Sequence, residues 1–156
     1  MRIEDLTDPS LIFPDLAALD PASLLREFSE RLAEKRLVDD ASALYDRLVE
    51  RERLCSTGLG SGVAVPHCKL PGLRRGVLAI GVSRQGIDFG SVDGQPAKLF
   101  FLLVSPTQSP AEHLQSLAAI SKWVKVDNHV DRLLEMADPE EIFRLLSQET
   151  GNESGG

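Results

Sequence analysis

Aromatic residues make up only 5% of the 156-residue chain, with a single tryptophan and a single tyrosine, so any core it builds must be mainly aliphatic. Cysteine is scarce too. Cys55 and Cys68 could pair in principle, but a cytosolic setting favours free thiols. No uninterrupted apolar run approaches the roughly 20 residues that span a bilayer, so a membrane-embedded protein is not expected. Met1 leads into Arg2, Glu4 and Asp5 rather than a basic region and an apolar stretch, so no signal peptide is evident and a cytoplasmic protein is expected. An excess of positive charge is also missing. The net charge of -7 opposes broad binding to nucleic acid or anionic membranes, because both polyanions would be repelled by the average surface.

What is present is ordinary for a globular protein: 42% hydrophobic and 26% charged residues, in a length that suits one domain able to bury a core without disulfide or metal staples. Residues 1–149 are expected to form that domain, and the small, polar stretch 150–156 a flexible tail.

Leu11-Ile12-Phe13 predicts a short first strand. Asp20-Pro21 then supplies an N-cap and a proline at the first helical position, opening a helix to about Arg36 whose Leu24, Leu25, Phe28 and Leu32 recur at helical spacing. Asp39 and Asp40 can cap a second helix that repeats Ala41, Leu44 and Leu48 and runs out in Glu50-Arg51-Glu52-Arg53. Dense apolar runs at Leu78 to Val82 and Leu99 to Val104 suit buried strands, with turn signals between them at Gln85-Gly86, Phe89-Gly90 and Asp93-Gly94. A third helix is predicted from Ala111 to Trp123, with its period running through Leu114, Leu117, Ala118 and Ile120. Val130 to Met136 forms another short helix, and Asp138-Pro139 caps a last one. Helices before and after the strands imply an α/β sandwich, a sheet covered on both faces.

Between Ser56 and His67 three glycines occupy alternate positions, Gly58, Gly60 and Gly62, before Val63-Ala64-Val65-Pro66-His67. Glycines let backbone N–H groups converge on an anion, so Gly60, Ser61 and Gly62 are candidates for a phosphate-cradling loop. Pro66 fixes its own φ and biases Val65 to be extended, which aims His67 out of the end of a strand. The same residues also fit a plain tight turn beside an ordinary histidine. A Gly-Lys-Ser or Gly-Lys-Thr ending and the dinucleotide glycine spacing are both missing, which disfavours nucleotide binding at this segment.

The stretch Arg51-Glu52-Arg53-Leu54-Cys55-Ser56-Thr57-Gly58-Leu59-Gly60-Ser61-Gly62-Val63-Ala64-Val65-Pro66-His67 closely resembles the signature of the fructose/mannitol-type (type 2) enzyme IIA domains of the phosphoenolpyruvate-dependent phosphotransferase system. The likeness continues through Asp88-Phe89, Val92-Asp93-Gly94-Gln95-Pro96, Leu99 to Val104 and Glu112-His113-Leu114-Gln115-Ser116-Leu117. It implies a mixed sheet flanked by helices, with His67 as the residue that accepts a phosphoryl group on Nε2 from a small histidine phosphocarrier protein of the HPr or NPr kind. His113 matches a second histidine beside that site, and Arg51 an arginine associated with the phosphorylated state. The nitrogen-regulatory branch is resembled best, which implies regulatory target proteins. A stand-alone fructose/mannitol component passing phosphate to a IIB domain for sugar uptake is the alternative. No cofactor and no metal are implied.

Taken without the resemblance, His113 on an amphipathic helix suits a surface histidine, and Arg51 suits a solvated helix end. His129 reads as a helix-start residue, and Trp123 as core or a partner-facing aromatic. Cys55 and Cys68 stand where the family often has small residues, and each fits a small buried hydrophobe. A zinc site from Cys55, Cys68, His67 and His113 has suitable ligand types but poor spacing.

Overall fold

The computed structural model describes residues 2–148, so the tail expected at 150–156 lies outside the described residues. Six strands form one mixed sheet: β1 (Ile12–Phe13), β2 (Gly58–Gly60), β3 (Val63–Ala64), β4 (His67–Leu70), β5 (Val77–Ile87) and β6 (Ala97–Pro106). Their order is β1-β5-β6-β3-β2, and β4 continues the line of β3 along β6. Strand β6 runs antiparallel to β5 and parallel to both β3 and β4, while β1 lies parallel to β5.

Five helices cover the sheet: α1 (Pro21–Glu34), α2 (Ala41–Leu54), α3 (Pro110–Lys125), α4 (His129–Leu134) and α5 (Pro139–Ser147). Strand β6 shows how the two faces are filled. Phe100, Leu102 and Val104 join Leu24, Phe28, Leu44 and Leu48 of α1 and α2, whereas Leu99, Phe101 and Leu103 join Ile120, Trp123, Ile142 and Leu145 of α3 and α5. An apolar run that is continuous in sequence thus divides by alternation between two cores. The sheet covered on both faces is the expected architecture.

Local signals set the helix starts. The Asp20 carboxylate accepts from the Ser23 N–H, Asp40 from Ser42 and Ala43, and Asp138 from Glu140, with proline at the first turn of α1 and α5.

Three expectations need correction. Gln85-Gly86 is no turn between strands, because Gly86 lies inside β5 with φ +84, where the register against β6 shifts between Val82 and Ile87. A glycine absorbs such an irregularity without ending the strand. The inner stripe of α3 is His113, Ser116, Ile120 and Trp123, not the one through Leu114 and Ala118, both of which are exposed. Both stripes have helical spacing, and α3 packs the more polar one because Ser105 receives His113. Finally, His67 does not follow a strand end but opens β4, opposite Leu103 of β6.

Candidate functional site

The site gathers where β4, α2 and α3 meet. Leu44 and Leu48 are buried on α2, and Arg51 continues their stripe three residues further, toward His67. Its Nε–H donates to Nε2 of His67 at 3.2 Å, and its Nη1 to the Cys55 carbonyl at 2.9 Å. On the other side of the ring, Nδ1 lies 2.8 Å from the Val65 carbonyl. A carbonyl only accepts, so Nδ1 carries the proton and Nε2 keeps its lone pair, the tautomer that the Arg51 contact also requires.

His113, on the first turn of α3, places its ring centroid 5.4 Å from that of His67. Its Nδ1 is 2.6 Å from Oγ of the buried Ser105 on β6. Both imidazoles are held neutral. For His67, burial lowers the pKa and outweighs the Val65 hydrogen bond, with Arg51 and Lys69 adding to the depression. For His113, burial first, then repulsion from His67 in its protonated form, Lys69 and Arg51 bring it down to about 4.

These side chains open into a hollow of about 590 Å3 that Lys69 and Arg47 also line. Two leucines stand at its rim, Leu54 79% and Leu114 67% exposed, among the charged Arg47, Glu50 and Lys69. Sequence reasoning missed Lys69, although its position two residues after His67 on a strand puts it on the same side. It also missed Ser105 and the Val65 carbonyl. The former is distant in sequence, and the latter carries no side-chain signal.

The structure does not bring Gly60, Ser61 and Gly62 to this hollow. Val63 pairs with Leu99 and His67 with Leu103, so four residues of β6, roughly 13 Å of strand, separate the loop from the histidine. The glycines instead turn the β2–β3 hairpin, with Gly60, Ser61 and Gly62 all at positive φ. The Ser61 N–H donates to the Asp93 carboxylate at 2.8 Å, so an anion of the chain itself already occupies that donor. The cradling role expected of this loop is therefore corrected for the His67 hollow.

Cys55 is exposed, whereas Cys68 is buried with its thiol pKa raised to about 12 by burial, so Cys68 is a protonated core residue at neutral pH. Among the described residues no three of His, Cys, Asp and Glu are grouped so as to hold a metal ion. His129 starts α4 and, among the described residues, is not part of the lining of the hollow. Its Nδ1 meets the Trp123 carbonyl at 2.9 Å and its ring stacks on the buried Trp123 at 4.5 Å.

Relatives carry the same architecture. A nitrogen regulatory protein of Bradyrhizobium diazoefficiens is 35% identical over 94% of this chain and 95% of its own length. A fructose-specific EIIA component of a phosphotransferase system, from Haloferax volcanii, is 32% identical over 92% of this chain and 97% of its own. The crystal structure of nitrogen regulatory protein IIA-Ntr from Neisseria meningitidis superposes with a TM-score of 0.86 at 28% identity, covering 92% of this chain and 98% of that one. The family model described as phosphoenolpyruvate-dependent sugar phosphotransferase system, EIIA 2, matches residues 5–149. With its mixed sheet and a histidine pair at the sheet end, the chain belongs to that EIIA type 2 family.

Proposed function

We propose that the chain is a phosphoryl carrier in which Nε2 of His67 takes the phosphoryl group from a small histidine phosphocarrier protein, in the manner of the nitrogen-regulatory branch. The single observation that carries this is the ring's anchoring: Nδ1–H held by the Val65 carbonyl leaves Nε2 as a neutral, oriented nucleophile facing a hollow. The Nε2 lone pair forms the new N–P bond as the donor's N–P bond breaks, and the bonding electrons return to the donor's imidazole. Positioning and charge compensation are the main tasks left to a protein in such a transfer.

Arg51 now occupies the Nε2 lone pair, so its guanidinium must shift aside for phosphorus and then faces the phosphoryl oxygens. Lys69 adds a second cation, and His113, neutral, can donate a hydrogen bond without first acquiring a proton. A phosphoryl group brings about 1.5 to 2 negative charges to a hollow rimmed by Leu54 and Leu114, which would change its preference between a donor and a regulatory target. The fructose-specific relative supports a second reading, in which a IIB domain is the acceptor.

Incubation with phosphoenolpyruvate, enzyme I and the phosphocarrier, followed by intact-mass measurement, tests this. An acid-labile adduct is expected on the wild type and none on His67→Ala. An unmodified wild type beside an active donor chain would end the carrier reading, and a stoichiometric adduct on His67→Ala would end the assignment of the acceptor. Addition of a IIB domain separates the readings, since rapid loss of the adduct favours sugar uptake over regulation.

A further inference from the structure

The connection from β4 to β5 reads Pro71-Gly72-Leu73-Arg74-Arg75-Gly76, with two adjacent arginines in a chain of net charge -7. The fold sets them with Arg36 and Arg47 around a hollow of about 750 Å3, between the end of α1, the start of α2 and this connection. Among the described residues, the guanidinium groups of Arg36, Arg74 and Arg75 make no hydrogen bond or ion pair, and that of Arg47 hydrogen-bonds only the Lys69 carbonyl, at 3.4 Å. Two carboxylates stand at the same rim. Asp40 is engaged as the cap of α2, and Asp39 is exposed. Four arginines against two aspartates leave a formal charge of +2 in one concavity. Its floor is apolar, built by Leu70, Leu73 and Val77.

Arg36 supplies a second, independent observation. It sits at φ +63 just past α1, where its N–H bonds the Ala33 carbonyl at 2.9 Å and the Leu37 N–H bonds the Leu32 carbonyl at 3.0 Å. Glycine is the usual residue at that point of such a helix-ending turn, because a Cβ is strained there. An arginine is strained at this position, and its side chain lines the hollow.

Guanidinium forks match phosphate oxygens in paired hydrogen bonds, and a concave patch of one sign concentrates its field on an incoming anion. The volume lies within the roughly 300–1,000 Å3 of small-molecule sites. We propose that this hollow binds a small molecule bearing a diphosphate group, with the arginines on the phosphates and the apolar floor under the ligand's body. A nucleoside diphosphate fits both parts. The site shares only Arg47 with the His67 hollow, and its occupancy does not depend on the carrier reading.

Titration calorimetry of the unphosphorylated chain with adenosine diphosphate and with inorganic diphosphate tests the proposal, alongside Arg36→Gly and the pair Arg74→Gln, Arg75→Gln. Saturable one-to-one binding is expected, weakened about tenfold or more by either change, a difference readable as a shift in Kd. Equal affinity for the two probes would support the site with a bare anion as ligand, and tighter binding of the nucleotide would support a role for the floor. Arg36→Gly relieves backbone strain, so its melting temperature should hold or rise, and lost binding would not reflect unfolding. Absence of saturable heat with both probes, or unchanged affinity in the variants, would overturn the proposal.

Discussion

His67 shows how much depends on one backbone carbonyl. With Val65 fixing the tautomer, burial is the main force that keeps the ring from protonating, and the Arg51 cation adds to it by disfavouring a second positive charge beside it. Arg51→Gln should therefore raise the pKa of His67 toward the ordinary histidine value, followed by NMR titration of the ring protons. A fall would contradict this arrangement. His113 extends the argument to stability. Its folded pKa of about 4 lies below the ordinary 6.5, so between those values the unfolded chain binds a proton that the folded one refuses. Stability from this source is complete above pH 6.5 and is lost as pH falls through that window. The melting temperature of the wild type should drop over it more steeply than that of His113→Gln, and equal slopes would remove His113 as the cause.

At the scale of elements, the strongly signalled pieces are those with local causes. Asp20, Asp40 and Asp138 cap helices in the structure as their positions beside helix-forming runs predict. The choice of face on α3 was not legible, since two stripes share its period and only Ser105, on another strand, selects one. The strand β5 was foreshortened in the sequence because Gly86 reads as a turn unless a neighbouring strand is there to pair across it. Close packing of this strand gives a further test at Gly81. A methyl group there would lie 2.5 Å from Leu16 and 2.6 Å from Phe28, so both side chains must move. Gly81→Ala should cost about 1–3 kcal/mol in denaturant unfolding, the usual range for overpacking. A neutral result would mean that α1 can ride outward from the sheet.

Across the whole molecule, one sheet serves two cores, and Phe101 and Phe100 are adjacent residues that belong to different ones. Neither core survives without β5 and β6, so the two should melt together. Trp123, the sole tryptophan, reports on the α3 side through its edge contact with Phe101, while far-UV circular dichroism reports on all helices. Coincident transitions by the two probes are expected. Separate midpoints would show that the α1–α2 layer unfolds by itself. The sequence by itself determined the helix starts and the aliphatic character of the core, because the former follow from neighbours within a few residues and the latter from composition. Tertiary structure decided that Arg51, 16 residues away, meets Nε2, that His113 turns inward, and that the glycine loop stands apart from the histidine. Those outcomes depend on β4 pairing with β6 and on the docking of α2 and α3, contacts between segments whose spacing along the chain carries no trace of their distance in space.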